Sequence, residues 1–211
     1  MLSERQGGAI DADAIADGIV RKVQKEGMQS LPWSESILSL RARLSFLKRH
    51  TNESAPDLSD DTLVSTVREW LVPFASTDGK DAVTEDILRN AIPSLAGWGL
   101  MRRLDSLVPE KIVLPSGSSR SIDYSQETPV LAARLQEFFG CTTTPELCGV
   151  PLLLHLLSPA NRPVQVTRDL DGFWDRAYPE VKKELMGRYP KHYWPENPRE
   201  AEPTARAKPR R

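Results

Sequence analysis

Cysteine is nearly absent from this 211-residue chain: it has two, Cys141 and Cys148, separated by six residues. That excludes a disulfide scaffold. The pair also falls short of a zinc site, which needs four ligands; only His155 lies nearby and no fourth donor is evident. Histidine is scarce too, and the three, His50, His155 and His192, are far apart along the chain. His155 sits in an apolar run, where a hydrogen-bonded, partly buried role is expected rather than a base or metal ligand. No apolar stretch approaches the roughly 20 residues of a membrane helix, and residues 1–10 do not form a signal peptide. A soluble, cytoplasmic protein is expected. Sequence signatures of catalysis are missing as well. There is no GxxxxGK[ST], GxSxG, HExxH or CxxC. Ser116-Gly117-Ser118 is a turn between two strands, with no following helix start to cradle a phosphate. Asp60-Asp61 and the Asp169/Asp171 pair stand at helix starts, where capping accounts for them.

One sign of charge does not dominate: 28 Lys and Arg face 29 Asp and Glu. No global field therefore drives the chain onto nucleic acid or membrane. The distribution is uneven. Residues 181–194 hold four basic side chains (Lys182, Lys183, Arg188, Lys191) against one acid, Glu184, and residues 199–211 hold five against two.

What is present reads first as helices. Ile15, Ile19 and Val23 make an apolar stripe on a helix starting near Asp11 or Asp13 and stopped by Gly27. A second helix starts near Ser34, with Ile37, Leu38, Leu40, Leu44 and Leu47 inward and Arg41, Arg43, Lys48 and Arg49 outward. Ser59-Asp60-Asp61 caps a third with Leu63, Val67, Trp70 and Leu71 on one side. A short helix follows Thr84, ending near Pro93; another over 95–107 is softened by Gly97 and Gly99. From Pro109 the period changes. Lys111–Leu114 and Arg120–Tyr124 predict a hairpin. Residues 129–140 read as a helix with Leu131, Leu135, Phe138 and Phe139 buried. Leu152–Leu157 is a strand apolar on both faces, hence central, and Val164–Thr167 returns. A short helix carrying Phe173 and Trp174 and a last helix from Tyr178 to about Gly187 complete the pattern. The fold class is α+β: a helical region over 10–107, then a small antiparallel sheet with packed helices over 109–195. Residues 1–9 and the Pro-, Glu- and Arg-rich tail 196–211 are expected to be disordered.

Long stretches carry a family resemblance. LPSGSSRSIDYS at 114–125, PVLAARLQEFFG at 129–140, VPLLLHLLSPANRPVQVTRDLDGFW at 150–174 and VKKELMGRYPKHYWPENP at 181–198 resemble the C-terminal region of the HrpB family, bacterial DEAH-type ATP-dependent RNA helicases. IADGIVRKVQKEGMQSLPWSES at 15–36, LRARLSFLKRH at 40–50 and LSDDTLVSTVREWLVPF at 58–74 resemble it too. The resemblance covers about residues 10–200. It implies a chain that follows the family's RecA-like and oligonucleotide-binding-like modules, either as an excised domain or as a fragmentary gene product. ATP and magnesium would belong to the parent helicase core, and none of the family's ATPase residues has a counterpart here. Residues 142–149 and Ser121 depart from the family pattern.

The implied function is a non-catalytic accessory domain with two readings. In the first it assists RNA binding or packs on the core, with Lys182, Lys183, Arg188 and Lys191 for phosphates. Tyr189, His192, Tyr193 and Trp194 would then be available for base stacking. In the second it is a protein-docking module without RNA contact, with Trp33 and Trp70 as possible anchors. The same aromatics could instead simply bury area.

Overall fold

A computed structural model describes residues 12–76 and 82–205. The expected disordered start, most of the loop at 76–81 and the last six residues lie outside the described residues. Two compact units divide the chain, Met1–Leu104 and Asp105–Arg211.

The first unit is helical. Helix α1 (Ala12–Glu26) buries Ala16, Ile19 and Val23. Gly27, at φ +77°, ends it and leads into a 3-10 turn at Met28–Ser30. Helix α2 spans Glu35–His50, α3 Asp60–Ser65 and α4 Val67–Trp70. The Ser59 hydroxyl accepts the Thr62 N–H, as a cap should, and Leu63, Val67, Trp70 and Leu71 are buried. Two residues of α2 differ from the periodic reading. Arg43 is buried at 3 % exposure, while Leu38 is exposed. Leu44, Phe46 and Leu47 are fully enclosed, so the apolar face of α2 is centred beyond Leu38. Helix α5 (Glu85–Leu107) contains Pro93 and is kinked at Gly97, whose φ of 72° and ψ of 156° leave the helical region. The expected break is therefore present, and a glycine is required to make it.

The second unit is α+β. Its strands are β1 (Lys111–Val113), β2 (Ser119–Asp123), β3 (Val130–Arg134), β4 (Glu146–Leu147), β5 (Val150–Pro151), β6 (Leu153–Leu157) and β7 (Pro163–Thr167). The main sheet has the order β1-β2-β3-β6-β7, and β4-β5 forms a separate hairpin. Two expectations are corrected here. Residues 130–134 are a strand, not a helix; only Leu135–Phe138 winds, as a 3-10 turn. And the sheet is mixed rather than antiparallel, because β3 runs parallel to β6 through Val130↔Leu153 to Arg134↔Leu157. The segment 135–152 supplies the long crossover that a parallel pair demands. Leu154 and Leu156 on β6 and Leu131 on β3 are fully buried, as a central pair requires.

Helices α6 (Leu170–Arg176) and α7 (Tyr178–Arg188) follow. Phe173, Trp174 and Tyr178 join Phe139 in one aromatic cluster, with centroids 5.1 Å apart for Phe173–Trp174, 5.4 Å for Trp174–Tyr178 and 6.0 Å for Phe139–Trp174. The Trp174 indole N–H donates to the Cys141 carbonyl at 2.7 Å.

The segment after α7 departs from its composition. Residues 196–205, expected to be disordered, are held on the fold. The Gly140 N–H donates to the Pro198 carbonyl at 2.9 Å, and the Thr204 N–H to the Gln136 carbonyl at 2.9 Å. Ala201 is buried. Gly140 sits at φ +77°, and a Cβ there would stand 3.1 Å from the Ala201 carbonyl, so glycine is needed for this close approach. Arg199 completes the attachment, its guanidinium donating to Asp171 Oδ1 at 2.7 Å and to both Asp175 carboxylate oxygens at 2.8 and 2.9 Å. No helix of the described residues is long and apolar enough to cross a membrane.

Candidate nucleic-acid interface

The basic-aromatic stretch 182–194 begins on α7 and ends in an irregular segment that turns back onto the unit. Its residues divide by environment. Trp194 is buried at 9 % exposure, and its indole N–H donates to the Tyr189 carbonyl at 3.1 Å. The next residue, Pro195, accepts a hydrogen bond of 2.9 Å from the buried Tyr178 hydroxyl. Burial drives the Tyr178 hydroxyl pKa far above its ordinary value, with the charge of Glu196 adding to the effect. Lys182 is largely covered and pairs with Glu196. Tyr193, at 37 % exposure, sets its ring edge-on to Phe139 at 6.4 Å and gives its carbonyl to Gln136. Tyr189 is half-buried, in edge contact with His192 at 6.1 Å.

Three cations of the stretch remain at the surface: Lys183, Arg188 and Lys191. Arg188 reaches Glu184 one turn back at 3.2 Å, both side chains being well exposed. Such a pair is weak and open to exchange for another anion.

His192 is a special case. Its Nδ1 is buried and has no hydrogen-bond partner among the described residues. Burial lowers its pKa below the ordinary 6.5, and the positive charge of Arg134 lowers it further. The folded state therefore binds the proton less readily than the unfolded state. The stability this confers is complete above pH 6.5 and is lost as pH falls through 6.5 toward the depressed native value. The melting temperature of the wild type is expected to fall over that interval more steeply than that of His192→Gln. Equal slopes from thermal melts across the pH series would remove His192 from this role.

The other sequence candidates take structural positions. Trp70 is buried and its indole donates to the Leu63 carbonyl at 2.8 Å. Trp33 is half-buried; its indole donates to the Met28 carbonyl at 2.7 Å, and the Arg41 guanidinium lies 5.4 Å from its ring centroid. Both are held by the first unit. His155 is half-buried on β6, and Cys141 and Cys148 are free thiols whose pKa values burial raises. Among the described residues no His, Cys, Asp and Glu group could hold a metal ion.

Two features escaped the sequence reading. Glu137, in the 3-10 turn after β3, is fully buried and receives the Arg120 guanidinium at 2.6 and 3.0 Å together with the Ser118 hydroxyl. Its signal was a lone acid within LQEFF, which periodicity cannot distinguish from a solvent-facing one. Trp98 on α5 is 86 % exposed, the most exposed large apolar side chain described. Its neighbours Gly97 and Gly99 hid its phase.

The architecture is shared with known proteins. The family described as ATP-dependent helicase C-terminal, of the HrpB type, matches residues 70–198. The chain is similar to the ATP-dependent RNA helicase HrpB of Escherichia coli, with 38 % identity over 201 residues, 93 % of this chain. It is similar in structure to the E. coli DExH-box NTPase HrpB, with a TM-score of 0.77 and 38 % identity over 92 % of the chain. A second crystal structure, of the E. coli DEAH/RHA helicase HrpB, gives a TM-score of 0.66 and 34 % identity over 92 % of the chain. In each case the chain spans a quarter of the relative's length. With more than half of its residues matched by the family, and both the hairpin strands and the α6–α7 aromatic cluster inside the matched span, this chain belongs to the HrpB-type ATP-dependent helicase C-terminal family.

Proposed function

We propose that this chain acts as the non-catalytic C-terminal accessory domain of a HrpB-like, DEAH-type ATP-dependent RNA helicase of the bacterial cytoplasm. It adds RNA contact to a helicase core, which alone holds ATP and magnesium. One observation carries the RNA part. Lys183, Arg188 and Lys191 are all exposed on a segment whose position is fixed from beneath by buried Trp194 and Tyr178. Cations on a rigid support lose less freedom when they meet phosphates than cations on a loose tail. Buried Trp194 contributes as an anchor, and the three exposed cations supply phosphate contact as the segment's main chemistry.

Titration of a labelled single-stranded RNA with the full chain tests this. Binding should weaken with salt, and the triple variant Lys183→Ala/Arg188→Ala/Lys191→Ala should flatten the slope of log affinity against log salt by roughly 0.7 for each phosphate that is no longer neutralised. An unchanged slope would show that the stretch does not touch RNA. Failure of the wild type to bind RNA, alongside binding to a separately supplied helicase core, would establish a docking module instead.

A further inference from the structure

We propose that Arg134, at the end of β3, is a phosphate-binding residue for RNA, presented by Asn161 of the β6–β7 turn. The inference rests on the RNA-binding reading above and extends its contact surface onto the sheet. The half-buried arginines of the second unit are, among the described residues, Arg120, Arg134 and Arg199. Two of them meet carboxylates: Arg120 pairs with Glu137, and Arg199 with Asp171 and Asp175. Arg134 meets only neutral acceptors. Its Nε donates to Asn161 Oδ1 at 3.0 Å and its Nη1 to the Ala205 carbonyl at 3.0 Å. Its Nη2 makes no hydrogen bond among the described residues. A partly desolvated guanidinium without a counter-ion is costly, and an anion from outside the chain would relieve it.

The turn that holds Arg134 is firmly closed. The Ser158 N–H donates to the Arg162 carbonyl at 2.8 Å, and the Ser158 hydroxyl accepts the Arg162 N–H at 3.1 Å. Ser158 itself is buried. Asn161 stands in this turn at φ +59°, a left-handed conformation that asparagine and aspartate both adopt readily. Aspartate there would make an ion pair with Arg134. Asparagine supplies the same acceptor and leaves the charge uncancelled. The surroundings are basic. The Arg134 charge reaches His192 and lowers its pKa, so the guanidinium borders the stretch that carries exposed Lys191. Arg162 is exposed, and its side chain has no ion pair among the described residues. Continuity with Lys183, Arg188 and Lys191 decides the occupant. A strand of repeated phosphates satisfies several such cations in turn, whereas a carboxylate of a protein partner satisfies one.

Titration of the full chain with a short labelled oligouridylate over a series of salt concentrations is the test, and Asn161→Asp is the decisive variant. It keeps the acceptor, the turn and the side-chain size while cancelling the Arg134 charge. Its melting temperature should equal or exceed that of the wild type. Its affinity should be about tenfold lower, and its slope of log affinity against log salt flatter by roughly 0.7, the share of one phosphate. Arg134→Gln should flatten the slope equally, and it decides the matter if Asn161→Asp is destabilised. If the wild type binds oligouridylate and both variants bind it with unchanged affinity and slope, this site is wrong while the RNA-binding reading stands. If the wild type binds no RNA, both are wrong. If the variants lose binding to a helicase core and not to RNA, the anion that Arg134 meets is a protein carboxylate and the inference is overturned.

Discussion

Replacing Arg120 with alanine is expected to destabilise the second unit by about 3 kcal/mol, the low end of the cost of stripping one partner from a buried ion pair. The low end applies because Arg120 is itself 36 % exposed, whereas Glu137 is fully enclosed. Arg120 lies on β2 and Glu137 in the turn after β3, so the pair fastens that turn to the sheet. The pH dependence distinguishes this from a simple loss of packing. Burial pushes the Glu137 carboxyl up, but the Arg120 hydrogen bonds, the Ser118 hydroxyl and the Arg120 charge outweigh it and hold the pKa below its ordinary value of 4.5. The wild-type contribution is thus present above pH 4.5 and lost as pH falls through the lower native value. Without Arg120 the burial effect prevails. The carboxyl should then protonate more readily in the folded state than in the unfolded one, and the variant should gain stability relative to wild type as the solution is acidified. Chemical denaturation across the acid range, with the double variant Arg120→Ala/Glu137→Gln as comparison, reads both effects. The double variant should recover part of the loss at neutral pH. A single variant that loses stability in parallel with wild type at every pH would rule out the buried pair as the cause.

The second unit also shows where sequence reading succeeds and where it stops. The hairpin of β1 and β2 was legible because a turn of Pro, Ser and Gly separates two alternating runs. The β6 strand was legible because it is apolar on both faces. The β3 strand was not. Leu131, Leu135, Phe138 and Phe139 recur at helical spacing, yet that spacing arises from a short strand running into a 3-10 turn, and a short apolar run is open to both interpretations. The parallel pairing of β3 with β6 follows from the crossover between them, which no local pattern encodes. The tail illustrates the same limit for charge. Its composition is that of a disordered segment, but Arg199 meets Asp171 and Asp175 of α6, and those partners lie too far away in sequence to be anticipated.

The candidate site was legible in a comparable way. Sequence picked out 182–194 as rich in cations and aromatics, and could not sort them. Burial does the sorting. An aromatic suits base stacking only if its face is free, and in this stretch Trp194 is buried, Tyr189 and His192 are half-buried and only Tyr193 is exposed. The exposed indole belongs to a different element. Gly97 and Gly99 bracket Trp98, and a phase interrupted by glycines gives no prediction of which side chain faces solvent.

Trp194→Ala is expected to cost about 3 kcal/mol, toward the lower end for removing a buried tryptophan. The void would lie beneath the segment that carries Lys191, and the Tyr189 carbonyl would lose its indole donor. The neighbouring Tyr178–Pro195 hydrogen bond, which shares the same short stretch of backbone, should weaken with it. Trp194→Phe retains most of the buried area and gives up only the hydrogen bond, a loss of about 1 kcal/mol. The pair of variants separates anchoring from recognition. If Trp194 is an anchor, both variants should lower the melting temperature in that order, and Trp194→Phe should bind oligouridylate like the wild type. If it were a stacking platform, RNA affinity would fall in Trp194→Phe out of proportion to stability. The first pattern is expected, because an indole at 9 % exposure has no free face to offer a base.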